Sequence, residues 1–402
     1  MFMSLFYFEL KKLLFNKKTS LLLICLFALY SVIGFTSTIF LIDSNDGYRA
    51  YEKMAFAYEG SFDTEKAAEA ERIYNKVSAR YGTDSRMIAR SVKDQPEIIL
   101  AVNYYAYAQQ VEEYWNGTPP ESAEEPYGIA LLKSKMTELE SQGKQDTFAY
   151  QELSDALQCL IGLGEPSFAN ILLWENLFNN WGEHMMQFLL FVPLAFIIAP
   201  VFAVERSSGM DNLILSSRHG RKKLVTAKLL SVLVTSFAVV SLYLAATFLF
   251  GFLPHASLHG WNAAIQSIPT YARSMFRCKA WQLALVGAAW LIFTGAVYGL
   301  IVSFISSRMK SQMGTAGISL ALLFVNVGLA AMGDTVLQRI QPLVDFGLAN
   351  VTLIKEVFGA HKLFNVFGVS ISYPVMAVFV LTSIAALAIF GIYQGQRSRT
   401  VA

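Results

Sequence analysis

The chain has 402 residues, of which 54% are hydrophobic and only 15% charged, where a soluble domain carries about 25% charged residues. Six uncharged apolar stretches of 20 residues or more carry the excess, and about 20 apolar residues cross a hydrocarbon core as a helix. A soluble multidomain protein is thereby excluded. The net charge of +2 excludes nothing by itself; where the charges fall is informative.

In chain order, residues 1–18 form a basic amphipathic segment. Leu5, Phe6, Leu10, Leu13 and Leu14 are expected on one face, with Glu9, Lys11 and Lys12 on the other, the pattern of a helix lying in a membrane interface. Charge-free runs then place spans at 19–42, 184–204, 229–253, 280–307, 311–333 and 373–393. The first run is too long, and lacks the small-residue site, for a cleaved signal peptide. The connections are 43–183, 205–228, 254–279 and 334–372, with a tail at 394–402. The expected fold is an all-α membrane protein. It has six transmembrane helices, an N-terminal interfacial helix and a mainly helical extracellular domain between the first two spans.

Orientation follows from the excess of Lys and Arg on cytoplasmic segments. With the N-terminus inside, the inner segments hold 14 basic and three acidic residues (Glu9, Glu205, Asp211). Both termini are therefore expected in the cytoplasm. The insertion 43–183 carries 12 basic and 24 acidic residues, but long segments cross whatever their charge. Trp174, Trp181 and Trp281 would then lie where an outer aromatic belt is expected.

The insertion reads as helical and long enough to bury a small core of its own. Thr64 to Arg80 is rich in helix formers, with Ile73 and Val77 on one face. Asp94-Gln95-Pro96-Glu97 resembles a helix start capped by Asp94, and Asn116-Gly117-Thr118-Pro119-Pro120 breaks the chain. Ile129 to Ser141 and Tyr150 to Ile161 are two further helices. Phe168 to Trp181 is aromatic and is expected along the outer membrane surface. The insertion holds 11 of the 18 tyrosines, which either form an aromatic surface for an amphiphilic ligand or pack a small helical core with their hydroxyls wet.

Several chemistries lack their signatures. There is no GxxxxGK[ST] loop, no GxGxxG, no HExxH and no GxSxG. No cofactor or metal is expected on this chain, and nothing points to nucleic acid. Cys25, Cys159 and Cys278 are too few and too scattered for a disulfide framework. The five histidines are dispersed. The expected spans contain no Asp, Glu, Lys or Arg, whereas ion-coupled carriers place ionisable groups there. Energy for uphill movement would have to come from a partner.

The segment 205–228 carries the most specific signal. Glu205-Arg206 leave a span, Gly209 permits a sharp turn, and Leu213, Ile214 and Leu215 form an apolar triplet. Arg218, Arg221, Lys222 and Lys223 precede Lys228, which opens the next span. An ordinary positive-inside loop accounts for the lysines, not for the glutamate, glycine and triplet.

This segment resembles the loop between the second and third spans of type-2 permeases of ATP-binding-cassette (ABC) transporters. The matching positions are Glu205, Arg206, Gly209, Leu213 with Leu215, Arg221, and Lys228 before Leu229-Leu230. Met210 stands where a small hydroxyl residue is usual, and Arg218 where a proline is common. The resemblance implies a coupling loop over 205–228 that docks into a separate ABC ATPase subunit, which binds ATP and Mg. It also implies a second permease subunit, identical or homologous, in the bacterial plasma membrane. The segment 334–372 resembles the short re-entrant helices before the family's last span. The function so implied is an exporter of an amphiphile (lipid, hydrophobic peptide or drug) through a charge-free path along spans such as the second and fifth. Gly295 and Gly299 would pack helices within one subunit. The alternative is a sensor or immunity protein whose ectodomain captures a peptide or lipid without transport.

Overall fold

A computed structural model describes residues 2–39, 42, 45–83, 88, 91–117, 126–210, 222–330, 344–359 and 361–397. The chain is mostly helical, at 77%. It opens with α1 (Phe2–Leu14) and α2 (Lys17–Ile39). The insertion supplies α3 (Asn45–Tyr58), α4 (Thr64–Tyr81), α5 (Pro96–Asn116), α6 (Ile129–Ser141), α7 (Phe148–Leu163) and α8 (Leu172–Gly182). The bundle continues with α9 (His184–Ile198), α10 (Pro200–Ser207), α11 (Lys223–Phe252), α12 (Ala280–Arg308) and α13 (Gln312–Ala330). After α14 (Leu348–Val351) and α15 (Ile354–Phe358) come β1 (Leu363–Val366), β2 (Val369–Ser372) and α16 (Tyr373–Arg397).

Five helices are long and apolar enough to cross a membrane: α2, α9 with α10, α11, α12 and α16. The chain is thus a multi-pass membrane protein. Helix α13, in the expected fifth span, qualifies only as a shorter apolar helix over Gln312–Val325; the end of that span, 331–333, lies outside the described residues.

Helix α11 is the axis of the bundle. Its 30 residues span about 45 Å at 1.5 Å per residue, and it packs against α1, α2, α9 and α12. Gly295 and Gly299 make the α11–α12 approach close: a Cβ at Gly295 would sit 2.6 Å from Val240 Cγ2, and one at Gly299 would sit 2.4 Å from Ser236 Oγ. The glycine pair therefore packs helices within the chain. Buried Ser231, Thr235, Thr247, Thr294, Ser303 and Ser319 donate to the carbonyl four residues earlier, which satisfies hydroxyls that apolar surroundings would otherwise leave dry.

The turn between α1 and α2 is held by one side chain. Asn16 Nδ2 donates to Lys12 O at 2.7 Å, and Asn16 Oδ1 accepts from Thr19 N at 2.8 Å. The α9–α10 break at Ala199-Pro200 is satisfied from α12. Ser306 Oγ accepts from Phe202 N at 3.1 Å and Ala203 N at 3.0 Å, and donates to Ala199 O at 2.7 Å. A neighbouring hydroxyl thus replaces bonds that the break removes.

The insertion differs from its expected form in four ways. Among the described residues its main core is not self-contained: one apolar cluster runs from Leu194 and Val240 in the spans to Tyr51, Val77, Ile99 and Tyr104. Among the described residues, α6, α7 and the end of α5 form a separate, smaller cluster, which Met275 from the 254–279 connection joins. Helix α5 starts after Gln95 without a side-chain cap, so Asp94 is not its cap. Helix α8, expected along the membrane surface, is packed into the bundle. Trp174, Leu177, Phe178 and Trp181 are buried against the bundle, where Trp181 Nε1 donates to Thr247 Oγ1 at 2.9 Å. Trp174 and Trp181 are thus core residues rather than belt residues; an indole can be buried once its N–H finds an acceptor.

The tyrosines pack the core, but several hydroxyls are bonded within the protein rather than wet. Asn103 Nδ2 donates to Tyr51 OH at 2.9 Å, and Tyr107 OH donates to Pro166 O at 3.0 Å. In the connection before the last span, the described residues form two short helices and an antiparallel hairpin in which Leu363 faces Ser372. The hairpin turns at Phe367 and Gly368, both at positive φ, and is the departure from the expected all-helical pattern.

Candidate functional site

At the end of the bundle where α1 lies, four charged side chains from three helices meet. Helix α11 contributes Lys228, α10 contributes Glu205, and α1 contributes Glu9 and Lys12. Lys228 Nζ lies 2.7 Å from Glu205 Oε1, 3.2 Å from Glu9 Oε2 and 2.7 Å from Val201 O. Those are three acceptors for the three N–H donors of one ammonium group. Lys12 Nζ donates to the same Glu205 Oε1 at 2.9 Å. Lys228 is also 5.3 Å from the centre of the Phe202 ring. Two cations and two anions balance.

Burial makes the cluster consequential. Lys228 is 1% exposed and Glu9 is 2% exposed, and such charges persist inside a protein only when paired and fully hydrogen-bonded. The local sequence explains how they come together. Glu9 lies one turn before Leu13 on the buried side of α1, and the break at Pro200 starts the short helix that carries Glu205. Lys228 is in the second turn of α11.

The surrounding bundle end is laced by further polar contacts. Arg206 Nη1 donates to Ser307 O at 2.7 Å, and Arg308 Nη2 donates to Gly391 O at 3.1 Å. The hydroxyls of Thr226 and Tyr393 are 2.7 Å apart. Gly209 has φ +69 with nothing within 4 Å of a Cβ. It is required there for its backbone conformation, not for space.

These positions revise the reading of 205–228. Its ends are helical, through Ser207 on one side and from Lys223 on the other. Glu205 and Lys228 face each other inside the fold and are not offered outward. Leu213, Leu215, Arg218 and Arg221 lie outside the described residues. Glu9 was expected on the polar face of α1 and sits on the buried one instead. The available signal was a lone acid in a basic helix, spaced four residues from Leu5 and Leu13, and it had no visible partner because Lys228 is 219 residues away.

Among the described residues no group of three or more His, Cys, Asp and Glu side chains could hold a metal ion. All three cysteines are free. Burial pushes the Cys278 thiol up to about 11. No family model matches the chain, and no curated protein and no solved structure matches it either.

Proposed function

We propose that this chain is the membrane subunit of an ABC exporter that moves an amphiphilic substrate, with ATP hydrolysed on a separate partner subunit. Both termini and the 205–228 segment face the cytoplasm in this reading, and the insertion faces outward. One observation carries the reading: the two roots of the segment are clamped together by the Glu205–Lys228 pair, 2.7 Å apart, in which Lys228 is buried. A loop that passes movement from a partner to the spans needs a stiff base. The pair supplies one and ties it to α1 through Glu9 and Lys12.

Within this assignment, Glu205 and Lys228 position the loop, while the apolar triplet at 213–215 makes the contact with the ATPase. The peripheral helices α2 and α16 have only 22% of their apolar windows buried. Their uncovered faces suit lipid and a second permease subunit. Phe188 of α9 stacks on Phe324 of α13, ring centres 4.7 Å apart, so the apolar faces assigned to the substrate path adjoin.

The test is recovery of the ATPase subunit with wild type and with Leu213→Asp/Leu215→Asp at matched membrane levels. Aspartates in an apolar groove lack a counter-ion, and each 1.4 kcal/mol lost is tenfold in affinity, so recovery should fall at least tenfold. Equal recovery would remove the loop as the docking element. Absence of any ATPase with the wild-type chain would favour the capture-only alternative.

A further inference from the structure

Beyond the loop end, one open cleft has the chemistry of a ligand site. It lies between α3 and the turn that follows α11, with a volume of about 790 Å³, within the ~300–1,000 Å³ of small-molecule sites. One stripe of α3 forms a wall: Arg49, Glu52, Lys53 and Phe56, spaced to share a helix face. The opposite wall is 256–261, ending on Trp261.

The two walls are braced. Ser257 Oγ donates to Glu52, Tyr48 stacks on His255 with ring centres 4.2 Å apart, and His259 Nε2 lies 2.8 Å from Glu59 Oε1. Ala256 adopts φ 49 to turn the chain into the cleft, a conformation a residue with a Cβ rarely takes. The cleft is therefore formed in advance of any ligand.

Its groups are unspent. Arg49 and Lys53 are exposed and make no ion pair among the described residues. Glu52 is hydrogen-bonded within the wall, so the two cations outnumber it. The Trp261 indole N–H, like that of Trp281, has no acceptor among the described residues, whereas those of Trp115, Trp174, Trp181 and Trp290 each have one. The cleft opens where spans end. Helix α2 stops at Ile39 and α11 at Phe252. Their ends touch, since a Cβ at Gly34 would lie 3.3 Å from Gly251 N. Leu249 near the end of α11 and Leu253 just after it, beside the cleft, are 53% and 67% exposed.

We propose that this cleft binds an anionic phospholipid: its phosphate meets Arg49 and Lys53, its glycerol region meets Trp261, and its chains lie along the exposed leucines at the end of α11. Two cations and an indole donor match a phosphodiester head, tryptophan belongs at headgroup depth, and exposed leucines beside the cleft give the acyl chains an apolar surface. One excess positive charge favours a head with net negative charge over a zwitterionic one. The site does not depend on the transport reading.

The experiment titrates the purified full-length chain in detergent with phosphatidylglycerol and, separately, phosphatidylcholine, reading bound lipid by native mass spectrometry. Free sn-glycerol 3-phosphate is the water-soluble competitor. Arg49→Gln/Lys53→Gln should weaken phosphatidylglycerol binding at least tenfold, since each basic group near an anionic headgroup contributes to attraction. Trp261→Ala should weaken it further. Phosphatidylcholine should bind the wild type several-fold more weakly, and glycerol phosphate should not compete. Lys76→Gln/Lys144→Gln, which removes two exposed cations elsewhere on the insertion, should bind as wild type. The proposal is overturned if the cleft variant binds normally or if the Lys76/Lys144 variant loses as much. It is also overturned if phosphatidylcholine binds as well as phosphatidylglycerol, or if glycerol phosphate competes as well as lipid, which would make the cleft a plain anion site.

Discussion

Replacing Lys228 by Met tests the ion network directly. The side chains are of similar length, so packing along the stem is kept while the charge is lost. Glu9, 2% exposed, then keeps no ion-pair partner among the described residues, because its one ion pair is with Lys228. Glu205 keeps Lys12 at 2.9 Å. Removing one partner of a buried pair costs about 3–5 kcal/mol because the other charge stays buried and uncompensated. Lys12→Met should cost far less, about 0–1 kcal/mol, since the Lys12 side chain is 31% exposed and Glu205 retains Lys228. At roughly 2 °C per kcal/mol, the figure for larger domains, Lys228→Met should melt about 6–10 °C below wild type and Lys12→Met within about 2 °C. Adding Glu9→Gln to Lys228→Met should restore about 1 kcal/mol or more, because it removes the stranded charge. The assay is thermal melting of the detergent-solubilised protein followed by size-exclusion chromatography. Equal losses for the two lysine variants, or no rescue by Glu9→Gln, would refute the assignment of Lys228 as the buried hub.

Three further outcomes follow from the packing. Ser306→Ala strands the N–H groups of Phe202 and Ala203 and the carbonyl of Ala199; at about 1–3 kcal/mol per buried group left unsatisfied, it should destabilise by about 3 kcal/mol or more, and an unchanged melting point would mean another polar group fills the break. Gly299→Ala pushes a methyl to 2.4 Å from Ser236 Oγ and should cost about 1–3 kcal/mol, whereas Gly317→Ala meets nothing within 4 Å and should be neutral or stabilising by up to about 1 kcal/mol; a reversed order in melting temperatures would contradict the helix approach described. In a Cys25→Ser/Cys159→Ser background, maleimide labelling of Cys278 should be slow at neutral pH. Burial disfavours the reactive thiolate and holds the thiol protonated up to about 11, so the rate should climb about tenfold per pH unit between pH 8 and 10. A plateau by pH 9 would show an unburied thiol.

How much of this was legible in the residues differs by level. Local properties were readable. The apolar runs at 184–204, 229–253 and 280–307 became α9 with α10, α11 and α12, because membrane helices satisfy their backbone bonds within themselves and need no distant partner. Helix α6 was readable from its own composition for the same reason. The Gly295/Gly299 spacing announced close packing, since small residues four apart leave a shallow groove on any helix.

What the residues left undecided were matters of partnership. Nothing near Trp174 or Trp181 tells whether an indole meets lipid or protein; that depends on α11 bringing Thr247 beside Trp181. The length of the insertion suggested a core of its own, yet among the described residues most of its core is shared with the spans, because apolar area is buried against whichever surface the chain folds beside. Glu9 read as a solvated charge on an amphipathic helix and is instead buried.

Composition and helical period alone determined that this chain is a multi-pass helical membrane protein. The tertiary structure alone decided which charges lie inside it, because a buried charge is tolerated only where a counter-charge arrives from elsewhere in the chain, as Glu9 does for Lys228 across 219 residues.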